Sequence, residues 1–163
     1  MSNFLKAALA SSVLVASVMG AAAARADTAT ADARANILAQ VSVDSDGSNL
    51  DFGTIVTGTA ASTVAVNASG TATCGSGLVC SGTTSAAGFD VSGTSGETVD
   101  ISVDKSVLLT GPSGTMTASL SASDSTIVLD GTDAFSVGGV LSVAANQADG
   151  AYKGTFNVSV DYQ

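Results

Sequence analysis

The residues of this chain that could do chemistry are few in kind: Cys74 and Cys80, thirteen aspartates and Glu97, with no histidine anywhere. A histidine-based triad or dyad is therefore excluded. Paired carboxylates can hydrolyse glycosides, but none of these acids stands in a recognisable motif. Most fall at turns, where an aspartate side chain bonds the backbone two residues on. The expectation is a protein that is not an enzyme and needs no cofactor. Asp44-Ser-Asp46-Gly-Ser-Asn49-Leu-Asp51 has the look of a calcium loop, but an EF-hand needs its glycine sixth and a glutamate twelfth. Here the glycine is fourth and the twelfth residue is Ile55, so a turn between two strands accounts for the run better. Asn67-Ala-Ser69 and Asn157-Val-Ser159 fit the N-glycosylation pattern, the second inside an expected strand.

The two cysteines read as one disulfide in an exported protein. Gly75–Val79 between them can bend back, so the bond would staple a short loop or hairpin. Chain entropy puts such a small ring at roughly 2 kcal/mol. Five intervening residues and the lack of histidine argue against a redox-active or metal-binding pair.

The elements that must position these residues are strands. Apolar residues recur at every second position, and no stretch after Ala26 carries a 3.6-residue stripe. The pattern predicts strands over Asn36–Val43, Leu50–Val56, Thr63–Asn67, Gly88–Ser92, Thr98–Val103, Thr115–Ser121, Ile127–Leu129, Ala134–Val143 and Tyr152–Tyr162. Asp46-Gly47, Ser92-Gly93, Ser95-Gly96, Gly111-Pro112, Asp130-Gly131 and Asp149-Gly150 separate them as turns. Many short strands with such turns imply an all-β sandwich over residues 36–163.

Met1–Ala26 reads as a secretory signal peptide, with Lys6 at its charged start, an apolar run over Ala7–Ala24, and Ala24-Arg25-Ala26 as the cleavage pattern. An uncleaved membrane anchor is the rival reading, set against by the Ala/Ser-rich run and the cleavage site. Cleavage would leave 137 of the 163 residues, with three basic residues against 14 acidic ones and a net charge of −11. That balance argues against nucleic acid and anionic membrane surfaces as partners, since both need a basic footprint. The expected destination is the cell surface by way of the periplasm, without membrane insertion after cleavage.

Both chain ends alternate. At the C-terminus Tyr152, Gly154, Phe156, Val158, Val160 and Tyr162 occupy every second position, and that face must be buried against something. At the other end Ala29, Ala31, Ala33, Ala35, Ile37, Ala39, Val41 and Val43 alternate over 15 residues, longer than the usual strand of about 5–6. Residues 27–35 are then an N-terminal extension with no partner of their own. Termini are often disordered, yet a disordered leader has no reason to keep a period of two. A donor strand that adds to the sheet of a neighbouring copy does.

Gly150-Ala-Tyr-Lys-Gly-Thr-Phe-Asn-Val-Ser-Val-Asp-Tyr162-Gln163 resembles the ending of chaperone–usher pilins, with a glycine fourteenth from the end and a penultimate aromatic. Leu50-Asp-Phe-Gly53 resembles the second strand of the archaic, spore-coat-like branch of those pilins. The chain is also similar to a family of small secreted bacterial proteins of unknown function, through Leu50–Val56 and Gly150–Gln163. In the archaic pilins a first-strand cysteine is tied to a later one, whereas the pair here is local. The resemblance implies an immunoglobulin-like Greek-key sandwich that lacks one strand and is completed by a neighbour. It implies a groove read by a periplasmic chaperone through Gly150, Tyr152, Phe156, Val158, Val160 and Tyr162. Ala29, Ala31, Ala33, Ala35 and Ile37 of the next subunit would fill it, through an outer-membrane usher, to build a homopolymeric fibre. An alanine contributes only about 0.8 kcal/mol for its methyl, so either the pockets are shallow or the donor reaches into Ile37–Val41. The competing expectation is a monomeric secreted or surface-attached binding module. A tip adhesin would need a receptor domain for which the length leaves no room.

Overall fold

In a computed structural model, which describes residues 27–163, twelve strands and no helix make up the secondary structure. The expected signal peptide over Met1–Ala26 lies outside the described residues. Chain contacts separate Asn36–Gln163 from the segment that ends at Ala35. Asp27–Ala35 is irregular and exposed along its whole length.

The strands are β1 (Ser42–Ser45), β2 (Thr54–Val56), β3 (Ser62–Val66), β4 (Ala72–Cys74), β5 (Val79–Ser81), β6 (Ala87–Ser92), β7 (Thr98–Val103), β8 (Ser106–Gly111), β9 (Gly114–Ala122), β10 (Thr126–Val128), β11 (Thr132–Val143) and β12 (Val158–Tyr162). Every pairing is antiparallel. The large sheet runs β1-β6-β11-β3-β4, with β9 on the other edge of β11 and β8 beyond it. The second sheet is β10-β7-β12, and β2 with β5 makes a separate ribbon. The fold is an all-β sandwich, as the period of two requires.

The longest strand organises the large sheet. The first half of β11 pairs with β6, from Thr132↔Ser92 to Val137↔Ala87, and its second half pairs with β3, from Gly139↔Val66 to Val143↔Ser62. The change of partner falls at Gly138, where a Cβ would collide with the Val66 carbonyl oxygen. Only glycine lets β3 approach that closely. Inward residues of the sheets form two apolar clusters. One gathers Val91, Val99, Ile101, Phe135, Val137 and Val160; the other gathers Phe52, Val64, Val66, Val107, Leu141 and Val143. Leu50, Leu120 and Phe156 pack against both. No polar or charged residue among those described is fully buried, so the side chains of the core hold together by apolar burial.

Three expected strands differ from the structure. The strand expected over Asn36–Val43 pairs only from Ser42, because its partner β6 ends at Ser92 and the chain turns away there. The strand expected over Leu50–Val56 reduces to a bridge between Asp51 and Ser85 followed by β2. The closing strand expected over Tyr152–Tyr162 pairs continuously only from Val158 to Tyr162, with one further bridge, Lys153↔Thr110. Between these, the terminal run advances five residues while its partner advances seven, from Val103 to Thr110. Two extra residues on one side make a bulge. Asp104 lies in it, and its Oδ2 accepts from the Asn157 backbone N–H (2.8 Å) and from Asn157 Nδ2 (3.1 Å). The sequence reading also passed over β4, β5 and β8. Alternation of Val107 and Leu109 before Gly111-Pro112 was the available signal for β8.

Candidate functional site

An apolar-floored groove of about 690 Å³ opens in the described structure. One rim is Leu50–Thr57, the run that carries β2. The other is Gln147–Tyr152, which leads into the C-terminal run, and the floor is Leu109, Met116, Leu141 and Val143. The floor side chains belong to the second core cluster or pack against it. A strip of core is thus only partly covered where the rims part: Leu109 and Met116 are part-exposed, while Leu141 and Val143, at 2% exposure, are buried. β5 takes one edge of β2 and does not line the groove; among the described residues no strand pairs with the other edge. No backbone bonds between the groove's two rims are present within Leu50–Thr57 and Gln147–Tyr152.

The groove is pinned shut at one end. Asn146 N–H donates to the Gly58 carbonyl (2.9 Å), and Thr57 Oγ1 donates to the Gln147 carbonyl at 3.5 Å. Tyr152 fixes the second rim. Its ring lies where a Cβ on Gly111 would be, so Gly111 makes the room for it. Its hydroxyl donates to the Ala148 carbonyl (2.8 Å) and accepts from Gln147 Nε2 (2.8 Å), which holds the bend of Gln147–Ala148. Gly150, at φ 139°, lies against the Pro112 ring.

The expected groove residues divide in two. Gly150 and Tyr152 line the cleft. Phe156, Val158, Val160 and Tyr162 do not: all four pack into or against the first core cluster, and Val160 is buried. Phe156 stands edge-on to Phe89, with ring centroids 6.3 Å apart. The inward alternation of the terminal run therefore serves the subunit's own core, and the partly covered strip is lined further upstream. Sequence reasoning did not name Leu109, Met116, Leu141 or Val143, whose apolar types look like any other inward strand residue.

Tyr162 has a different task. Its hydroxyl donates to the Ala39 carbonyl (2.8 Å) and accepts from Thr94 N–H (2.8 Å), while Ala39 N–H donates to Thr94 Oγ1 at 2.7 Å. This three-way knot anchors the chain at Ala39. Upstream of it Ile37 is 90% exposed. Of the candidate donor residues, Ala29, Ala31, Ala33 and Ala35 are all exposed as well.

Cys74 and Cys80 form a disulfide, and not within a hairpin. Cys74 ends β4, which pairs with β3 in the large sheet, whereas Cys80 lies in β5, which pairs with β2. The bond ties the ribbon that carries one rim of the groove to the large sheet. The Asp44–Asp51 run is a turn: Gly47 has φ 94°, Asp46 Oδ1 accepts from Ser48 N–H (2.6 Å), and Asp51 Oδ1 accepts from Gly53 N–H (2.8 Å). Asn67 of the first sequon is occupied in the same manner, its Oδ1 accepting from Ser69 and Thr71.

Residues 40–162 match the family described as Domain of unknown function (DUF4402). The chain belongs to this family. The match begins just after the Ala39 knot and ends at Tyr162, so the groove, the disulfide and the closing strand all fall inside the DUF4402 domain, and the exposed segment Asp27–Ile37 precedes it. No curated protein and no solved structure matches the chain.

Proposed function

We propose that this protein is a structural, pilin-like subunit that polymerises into an extracellular fibre by lending its N-terminal segment to the groove of a neighbouring copy. The reading rests on one observation: a groove with an apolar floor, bounded by two rims with no strand between them among the described residues. The apolar surface that Leu109 and Met116 leave part-exposed there is unfavourable in water at about 25 cal/mol per Å². An added strand would cover it and satisfy the rim backbone together. The exposed, period-two segment that precedes Ala39 is the strand-competent stretch of this chain free to do so. The likeness of the two chain ends to chaperone–usher pilins points the same way. On that reading a periplasmic chaperone shields the groove before assembly, an outer-membrane usher passes the subunit on, and the fibre stands at the cell surface.

The experiment is electron microscopy and gel filtration of the exported protein, with and without Asp27–Leu38. The full chain should form filaments. The shortened chain, with its signal peptide joined directly to Ala39, should be a folded monomer. Filaments from the shortened chain would overturn the reading. So would a full chain that is a stable monomer at every concentration, which is the behaviour of a binding module.

A further inference from the structure

Ile37 and the groove of its own copy are too far apart to meet, so a contact between them needs a second copy. Resting on the reading above, we infer that Ile37 of a second copy, rather than the alanines alone, occupies the groove over Leu109, Met116, Leu141 and Val143, and that the contact is made only between copies.

Ala39 is fixed beside Tyr162 by hydrogen bonds to Thr94 and to the Tyr162 hydroxyl. The groove begins, on the rim that shares this run, at Tyr152. Ten extended residues separate Tyr152 from Tyr162, about 33 Å of strand, and a right-angle bend midway would still leave about 23 Å. Ile37 is two residues from Ala39 and so reaches at most about 7 Å from the knot. It cannot fill the groove of its own subunit. Within Asp27–Leu38, Ile37 and Leu38 are the large apolar residues, and Leu38 is already half-buried while Ile37 is 90% exposed. Ile37 shares its strand face with Ala35 and Ala33, which would follow it along the floor. Arg34, the basic residue of the segment, falls on the opposite face, where it pairs with Asp32 at 3.5 Å.

A consequence is close abutment. Only Leu38 lies between the inserted Ile37 and the anchored Ala39, so successive subunits touch with no flexible linker.

The test uses full-length chains exported from cells. Ile37→Cys in one copy and Met116→Cys in another, exported together and oxidised, should give a dimer in which mass spectrometry finds the two introduced thiols joined. The double variant should give a ladder of linked subunits. Closure of the double variant on itself as a monomer would overturn the inference. Separately, Ile37→Ala should weaken subunit association at least about 30-fold, the loss expected for truncating a buried isoleucine, and Ile37→Leu should restore most of it. Wild-type filaments that are unaffected by Ile37→Ala would refute this register while leaving the proposed function standing. Absence of filaments from the wild-type chain would remove both.

Discussion

Replacing both cysteines, Cys74→Ser with Cys80→Ser, asks how the rim of the groove is held. The bond closes a loop between residues six apart in sequence. For a ring that small the chain-entropy relation gives about 2.2 kcal/mol of lost unfolded-state entropy. The unit Asn36–Gln163 has an unfolding entropy of about 0.27 kcal/mol/K near 60 °C, so 2.2 kcal/mol corresponds to a drop of about 8 °C in Tm. The loss should not be evenly felt. β2 and β5 pair with each other through only three residues each, and their other ties are the Asp51–Ser85 bridge, the Asn146–Gly58 and Thr57–Gln147 bonds just beyond β2, and the packing of Phe52, Ile55, Leu78 and Cys80 in the second cluster. Without the disulfide the ribbon should open locally, below the free energy of global unfolding. Calorimetry reads the first effect and hydrogen exchange the second. Amides of Thr54–Val56 and Val79–Ser81 should exchange faster in the variant, while those of β6 and β11 should slow or hasten only with global stability. A Tm within about 2 °C of wild type, with ribbon exchange unchanged, would refute the reasoning and leave those other ties as the tether.

Two other substitutions test the frame on which the groove is built. Tyr162→Phe keeps the ring but removes both bonds of its hydroxyl, and should destabilise the domain by about 1–2 kcal/mol, read as a lower urea midpoint with an unchanged slope. An unchanged midpoint would mean that the Ala39 knot holds nothing. Gly138→Ala places a Cβ against the Val66 carbonyl where β11 exchanges β6 for β3, and should lower stability by about 1–3 kcal/mol; a neutral result in thermal unfolding would show that the strand crossing is slack.

Much of the fold was legible because alternation survives any register. The strands over Thr63–Asn67, Gly88–Ser92, Thr98–Val103, Thr115–Ser121 and Ala134–Val143 lie where the valines and leucines alternate, to within two residues at most ends. The glycines after Asp46, Ser95, Asp130 and Asp149 have the positive φ that turns ask for. The disulfide was legible from count alone. What it joins was not, since β4 and β5 are adjacent in sequence yet belong to different sheets.

The functional site shows the same boundary more sharply. Phe156, Val158, Val160 and Tyr162 were expected to face a groove, because an inward face in a closing strand carries no mark of what it packs against. In the folded chain they cover the first core cluster, and the open strip lies beside Tyr152 and Gly150. The sequence by itself determined which side of each strand is apolar, where the chain turns, and that Asp27–Ala35 stands apart as an extension. Only the tertiary structure decided which apolar side is left partly uncovered. That depends on the parting of two rims ninety or more residues apart in the chain, and on side chains such as Leu109 and Met116 that full burial would make ordinary and part-exposure makes a site.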